Sequence, residues 1–404
     1  MIRLLERLFT ILSIILLCGG FISLIPTEND IYEIPIKLSY IVVYFISAII
    51  IFSKGTLLKN AIQTTKKQKS LIILSTIIIF SFIWSNDYVI TLQRVFAFIG
   101  TFIFAIYFSQ RYSKEEQIKI LGISLALIII FSIIFSLTLP NYGKDKDYPD
   151  AWQGIFNQKN ILGKIMVLSL AVFLINYNLE KNKIKKVLNI LLITASIYLI
   201  ILSQAKTAIL LSIVISLLIF SSRIIQINRK NLKIFFSLTF LIILILSIIL
   251  TVYFQSDILK GLNKDKTLTG RTELWSYSLE KIKEKPILGY GYASFWIDSE
   301  KSPSKRAQYE VGWNAPHAHN GFIDLTLEIG LIGLLVFLFI FTKTIAKALK
   351  ELNKKQEWIN IWPVTLISFL FLYNLTENSL IRQNSIFLAL YIALIYNLAK
   401  DGKE

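Results

Sequence analysis

Long apolar runs alternate with short polar ones along this chain, and the polar ones alternate in turn between lysine-rich and nearly uncharged. Twelve runs approach the ~20 residues a helix needs to cross a bilayer. They fall at roughly 8–26, 35–53, 70–84, 90–109, 118–139, 160–179, 187–203, 206–222, 234–253, 320–342, 360–375 and 381–399. The third and eleventh are short, and the sixth is a candidate for partial re-entry. The pattern predicts an all-α polytopic membrane protein with about 12 transmembrane helices.

Two longer polar connections, 140–159 and 254–319, interrupt the rhythm. The second holds Trp275, Pro286, the Gly289-Tyr290-Gly291-Tyr292 turn and Trp313. Apolar spacing over 271–285 predicts a surface helix stopped by Pro286. The expected organisation is therefore residues 1–253 with nine helices and short loops, a partly helical large loop over 254–319, and residues 320–404 with three helices and a short tail.

Composition agrees. The chain is 54% hydrophobic and 17% charged, with mean hydropathy +0.61, where a soluble domain carries about 25% charge. The formal charge of +17 would suggest nucleic acid in a soluble domain. Here the cations sit in alternate connections: Arg3 and Arg7; Lys54, Lys59, Lys66, Lys67 and Lys69; Arg111, Lys114 and Lys119; Lys181 to Lys186; Arg223 to Lys233; Lys343 to Lys355; Lys400 and Lys403. Topology selection produces that distribution, so no nucleic-acid partner is expected. The positive-inside rule places both termini in the cytoplasm and both long connections outside. The single Cys18 excludes an internal disulfide framework and a zinc site of several cysteines.

Charges inside spans are functional candidates by default. Lys37, Arg94, Lys164, Lys206, Asp324, Glu328 and Arg382 qualify. All but Lys37 fall near the external ends of their spans, which predicts a polar cavity opening outward. Lys37 and Lys164 have the alternative of snorkelling to the interface. Asn320, Asp324 and Glu328 recur every four residues, either as part of the site or as a hydrogen-bonding seam. Gly330 and Gly333 are expected to permit close helix packing. Gly289-Tyr290-Gly291 lacks a third glycine and is not a nucleotide site.

Both histidines of the chain lie in His317-Ala318-His319, where the large loop meets an apolar run. An imidazole there can take a proton from an attacking hydroxyl. Arg94, Lys206 and Arg271 are cations suited to phosphate oxygens. Outside the cell no nucleotide sugar is at hand, so the anionic substrate is expected to be a lipid-linked phosphate or diphosphate. Fixed cations would then favour the transition state in which charge develops on the leaving diphosphate. A metal on His317, His319 and Asp324 is the rival. No third strong ligand stands at convincing spacing, so neither metal nor cofactor is expected.

These residues resemble the bacterial O-antigen ligases and the related O-antigen and exopolysaccharide polymerases. His319-Asn320 followed by Gly330-Leu331-Ile332-Gly333 resembles their signature. Trp84-Ser85-Asn86-Asp87 with Thr91-Leu92-Gln93-Arg94, the Gly154 to Gly163 segment around Lys159-Asn160, and Ser203-Gln204-Ala205-Lys206-Thr207-Ala208 are similar to further family segments. So are Gly270-Arg271-Thr272-Glu273-Leu274-Trp275, Pro286 to Phe295, and Asn374-Leu375-Thr376-Glu377. Lys206 stands where arginine is commoner, giving a point charge without a bidentate fork.

The resemblance implies a metal-independent glycosyltransferase of the GT-C type that takes a glycan from undecaprenyl diphosphate at the periplasmic face. His319, with His317 beside it, would be the base. Arg94, Lys206 and Arg271 would hold the diphosphate. Lys159, Asn160, Asn320, Asp324, Glu328 and Glu377 would support them. A lipid A core acceptor would make the protein a ligase, the preferred reading, and a lipid-linked repeat would make it a polymerase. A secondary transporter is the remote alternative, disfavoured because the charges gather at one face rather than at midplane helix breaks.

Overall fold

The computed structural model describes residues 2–24, 30–227, 269–297, 302–305, 315–354 and 356–400. The expected span at 234–253 and Trp313 lie outside the described residues. The helices are α1 (Ile2–Leu17), α2 (Asp30–Ser53), α3 (Gly55–Lys67), α4 (Lys69–Phe80), α5 (Tyr88–Arg111), α6 (Lys114–Thr138) and the single turn α7 (Pro140–Gly143). They continue with α8 (Lys159–Leu179), α9 (Lys183–Leu202), α10 (Lys206–Ile227), α11 (Thr269–Glu284), α12 (Gly321–Lys354), α13 (Trp362–Tyr373) and α14 (Ile386–Lys400). Among the described residues the β-structure is one isolated bridge, Lys144 to Trp152.

The protein is an all-helical, multi-span membrane protein, as its pattern predicts. Among the described residues seven helices are long and apolar enough to cross a bilayer: α2, α5, α6, α8, α9, α10 and α12. Three more apolar helices are shorter, at Lys69–Ile83, Trp358–Tyr373 and Ile386–Lys400. A helix that is apolar all round belongs in the interior, and α14 shows it: every residue from Ile386 to Leu398 is buried. At the other extreme, α9 buries only Ser196, Leu199 and Ile200 and exposes Ile184, Leu191 and Ile201, as a lipid-facing helix does.

Several boundaries move. The first helix stops at Leu17 rather than 26, because Gly19 turns the chain at φ +83°. Phe21 N–H then bonds the carbonyl of Ile155 at 2.9 Å. The lysine-rich connection after α2 is itself a helix, α3. It buries Ala61 and Thr64 and exposes Lys59, Lys66 and Lys67, an amphipathic division suited to an interface. The last helix begins at Ile386, so Arg382 lies in the connection before it rather than in a span.

Ion pairs gather the lysine-rich connections at one end of the bundle. Glu6 accepts Arg111 Nε at 2.6 Å and Lys54 Nζ at 3.1 Å. Burial pushes the Glu6 carboxyl up, but the hydrogen bonds from Arg111 and Lys54 outweigh it and hold it below its usual range. Lys114 meets Glu351 at 2.7 Å, and Lys400 donates to the carbonyl of Ser109 at 2.6 Å. Both chain ends and three of the expected cationic connections therefore share one end. A cavity of about 560 Å³ opens there, lined among others by Tyr112, Lys114, Glu351, Lys354 and Lys400. The histidines precede the opposite end of α12, which runs for 34 residues.

That long helix is broken. Ile329 and Gly330 leave helical geometry, with Gly330 at φ +68° and ψ −177°. A break in an apolar bundle exposes backbone groups that must find partners. The segment after α11 supplies them. Tyr290 N–H bonds Leu327 O at 2.8 Å, Gly291 N–H bonds Glu328 O at 3.0 Å, and Leu331 N–H bonds Pro286 O at 2.8 Å. The segment's other edge is tied to the turn before α5. Trp84 Nε1 donates to Leu288 O at 2.9 Å, and Asn86 N–H to Tyr290 O at 3.2 Å. Gly330 thus serves the break rather than helix packing.

A Cβ on Gly330 would sit 2.1 Å from Ile287 O in a left-handed backbone. Gly330→Ala is expected to lower stability by about 3 kcal/mol, whereas Gly55→Ala, with nothing within 4 Å, shifts it by under about 0.5 kcal/mol. Thermal unfolding in detergent checks this, and equal melting temperatures for the two variants would contradict the account.

Candidate functional site

The two histidines are held by what surrounds the alanine between them. Ala318 is fully buried. Its N–H donates to Asp324 Oδ1 at 2.9 Å, and its carbonyl accepts Trp275 Nε1 at 2.7 Å. Asp324 also takes Trp296 Nε1 on Oδ1 and Asn378 Nδ2 on Oδ2, each at 2.6 Å. One carboxylate therefore joins the histidine loop, the large loop and the connection after α13. Ion-assisted bonds of this kind are the strong ones. Asn320 begins the helix instead: its Oδ1 accepts Phe322 N–H at 3.0 Å and Ile323 N–H at 3.2 Å, a side-chain cap. The regular Asn320, Asp324, Glu328 spacing thus carries three different jobs, because Glu328 takes a backbone hydrogen bond from Ala293.

So fixed, the imidazoles stand close. Their ring centroids are 4.2 Å apart. His317 Nδ1 accepts the N–H of His319 at 3.1 Å, and His319 adopts a left-handed φ of +50°. Glu377 completes the group, with Oε2 3.4 Å from His319 Nδ1 and 3.9 Å from His317 Nε2. These ligand-type atoms all lie within 4.8 Å of one another. The structure therefore supplies the third ligand-type side chain that sequence spacing could not locate. Glu377 is 58 residues beyond His319 along the numbering but is brought back by Asn374, whose carbonyl bonds Gly321 N–H at 2.9 Å and whose Oδ1 takes Ser379 N–H at 2.6 Å.

The expected cations fall into two groups. Arg94, in the second turn of α5, has Arg382 and Glu328 as electrostatic neighbours. Arg382 also influences Asp324, Glu328, Tyr292 and Lys164. Lys164 donates to Ser379 Oγ at 3.1 Å and lies 5.2 Å from the centroid of the Tyr373 ring. It interacts electrostatically with Glu377.

The second group is Lys159 and Lys206, electrostatic neighbours at the first residues of α8 and α10. Lys159 sits 3.2 Å from the centroid of Tyr148, and its N–H bonds Asp145 Oδ2 at 3.0 Å. Asn160 follows it and is exposed, as is Lys206. Gly163 lets the helices meet, since a Cβ there would lie 2.7 Å from Ala205 Cβ. Arg271 belongs to α11, and its side chain lies outside the described residues.

Sequence reasoning missed Trp296 and Asn378 as anchors of Asp324, and named Arg382 only as a misplaced charge. Tryptophans in a polar loop were the available signal for the first. The span boundary hid the last.

Fold and site together define a multi-pass membrane protein with a histidine–carboxylate cluster beside half-buried guanidiniums. Residues 190–338 match a family model described as O-Antigen ligase. An exopolysaccharide production protein, ExoQ, of Rhizobium meliloti is 36% identical over 97 residues, 24% of this chain and 22% of that protein. A putative polysaccharide ligase of Rickettsia felis is 33% identical over 111 residues, 24% of this chain and 26% of that protein. A ComP-specific O-oligosaccharyltransferase of Acinetobacter baylyi is 26% identical over 186 residues, 45% of this chain and 33% of that protein. The matches span between 22% and 33% of these relatives' lengths. The similarity to the O-antigen ligase and polysaccharide polymerase superfamily, expected from the motifs, stands. The family stretch holds Lys206, Arg271, His317, His319, Asp324 and Glu328; Arg94, Lys159, Asn160 and Glu377 lie outside it.

Asp324→Ala would leave the Ala318 and Trp296 N–H groups without their acceptor. The expected loss of stability is roughly 2–4 kcal/mol, read by thermal unfolding followed through tryptophan fluorescence. An unchanged melting temperature would show that Asp324 is not the anchor of the histidine loop.

Proposed function

We propose that the chain is a glycosyltransferase of the O-antigen ligase type. It moves a glycan from undecaprenyl diphosphate to a hydroxyl of an acceptor, the lipid A core, at the periplasmic face of the inner membrane, with both termini in the cytoplasm. The observation that carries this reading is the His317–His319–Glu377 cluster, with Glu377 3.4 Å from His319 Nδ1, beside Arg94, Lys164 and Arg382. The grouping of the cationic connections at the far end supports the orientation.

In the proposed reaction His319 accepts the proton of the acceptor hydroxyl as its oxygen attacks the anomeric carbon. The bond from that carbon to the diphosphate oxygen breaks, and the electron pair leaves with the diphosphate. Glu377 beside Nδ1 favours a proton there and leaves Nε2 to act as base. Cations stabilise the departing diphosphate; Arg94, Lys206 and Arg271 are the proposed donors. Lys159 and Asn160 would act with Lys206, while Asn320, Asp324 and Glu328 hold the helix and loop that carry the base.

The test is the glycan profile of a strain deleted for the gene and complemented with wild type or His319→Ala. Under this reading only wild type restores glycan on the lipid A core, and His319→Ala leaves polymer on the lipid carrier. The relative named for exopolysaccharide production favours a second reading, a polymerase whose acceptor is a lipid-linked repeat. Single repeats left on the core would establish that reading instead. An unchanged profile with both plasmids would overturn the lipopolysaccharide assignment.

The cluster of His317, His319 and Glu377 is also one that ligand spacing permits for a divalent ion. The general-base reading predicts full transfer activity by the purified protein after EDTA treatment. Loss of activity restored by zinc or manganese would instead mean that His317, His319 and Glu377 hold an ion, which would supply Lewis-acid activation of the acceptor hydroxyl in place of a general base.

A further inference from the structure

Arg382 follows Ile381 in the connection between α13 and α14, at the end of the bundle that carries the histidines. Its backbone is pinned on both sides. Tyr292 OH donates to Ile381 O and lies 3.1 Å from Gln383 Oε1. Asn384 N–H donates to Thr101 Oγ1 at 2.9 Å, and its Oδ1 accepts Tyr44 OH at 2.6 Å. Thr101 belongs to α5. So does Phe98, which packs edge-on against Tyr292 at 5.7 Å. Arg94 is one turn before Phe98 on the same helical face. The stripe Arg94, Phe98, Thr101 therefore runs alongside residues 381–384.

Two guanidiniums thus stand on adjoining backbone in a mostly apolar bundle. Like charges so placed repel, and each would gain from a carboxylate contact. Carboxylates are near, yet they are engaged elsewhere. Asp324 accepts from Trp296, Ala318 and Asn378, Glu328 from Ala293, and Glu377 lies against the imidazoles. Among the described residues neither Arg94 nor Arg382 makes a hydrogen bond or ion pair. Their forks, each able to take two oxygens of one phosphate, are left for a ligand.

We infer that Arg94 and Arg382 together form a phosphate-binding pair, which takes a phosphate of the polyprenyl diphosphate substrate. The inference rests on the proposed glycosyl transfer and adds to it a residue, Arg382. The pair lies near Glu377 and Lys164.

A structural arginine and a ligand-binding arginine respond oppositely to removal. An arginine that holds the fold loses stability when replaced, with or without ligand. One left unpaired for a ligand loses only the stabilisation that the ligand brings. The experiment is thermal unfolding of the purified full chain in detergent, with and without undecaprenyl diphosphate, and separately with inorganic diphosphate. The variants are Arg382→Gln, Arg382→Lys, Arg94→Gln and His319→Ala. Wild type and His319→Ala should be stabilised by undecaprenyl diphosphate.

Arg382→Gln and Arg94→Gln should each keep or raise the ligand-free melting temperature and bind undecaprenyl diphosphate about tenfold more weakly or worse. Arg382→Lys, with charge but no fork, should fall between. Stabilisation of wild type by inorganic diphosphate as well would show that the pair reads the headgroup alone. Stabilisation only by the lipid would show that it needs the polyprenyl chain too, and either supports the pair. Arg382→Gln with a lowered ligand-free melting temperature and undiminished lipid binding would overturn it. If Arg382→Gln does not fold, wild-type affinity in Arg382→Lys and Arg94→Gln overturns it equally. Absence of undecaprenyl diphosphate binding by wild type would instead remove the proposed donor, so the two failures are distinguishable.

Discussion

Backbone hydrogen bonding at the break in α12 is the constraint on which the histidine end of this protein depends. A helix in lipid satisfies its own backbone, and a break leaves groups that neither water nor lipid can serve. Here Leu327 O, Glu328 O and Leu331 N–H are served by the backbone of residues 286–291. That choice has consequences on both sides. It locks the segment after α11 into the bundle, because its other edge is bonded to Trp84 and Asn86. It also fixes the rotation of the half-helix 321–328, and with it the directions of Asp324 and Glu328. Asp324 then holds Ala318, and Ala318 sets the two imidazoles. The chain of causes runs from one glycine at φ +68° to the placement of two imidazoles.

The sequence made the elements legible and the joints illegible. Apolar runs locate spans because lipid imposes one simple requirement on every residue facing it, and α5, α6, α8 and α9 fall where the pattern puts them. The surface helix before Pro286 was legible for a similar local reason. Boundaries failed where a short-range event ended a run that stayed apolar: Gly19 ends α1 inside one, and Arg382 was assigned to the final span because Leu380 and Ile381 before it are apolar. The site followed the same division. His317 and His319 were legible because two titratable rings stand alone at a polar–apolar junction. Their dependence on Trp275, Trp296 and Asn378 was not, since those contacts join positions tens of residues apart through single hydrogen bonds. Gly330 was recognisable as unusual, but a packing glycine and a break glycine look alike until the backbone that meets them is known.

The family similarity sharpens one part of this picture and leaves the rest to geometry. The matched stretch, 190–338, contains both histidines and the large loop, which are the parts whose spacing alone is distinctive. Arg94 comes from α5, and Glu377 and Arg382 from the connection between α13 and α14; they reach the same place only through folding. A site assembled from distant segments shows weakly in any linear comparison, even where its chemistry is concentrated.

The two ends of the bundle treat charge in opposite ways. At the lysine-rich end Glu6 is shared by Arg111 and Lys54, and Glu351 by Lys114 and Lys354. The cations there are partly exposed while Glu6 and Glu351 are buried, so each carboxylate that leaves water is compensated by cations that keep part of theirs. At the histidine end the carboxylates are bonded by neutral N–H groups or lie against imidazoles, and the guanidiniums of Arg94 and Arg382 stand without direct partners among the described residues. Stability alone would favour the reverse, since a half-buried cation without a carboxylate partner is costly. Sequences depart from local consistency mainly where function requires it. An arrangement that engages its carboxylates in holding two imidazoles, and leaves two cations without carboxylate partners beside them, fits the phosphate-binding pair inferred above.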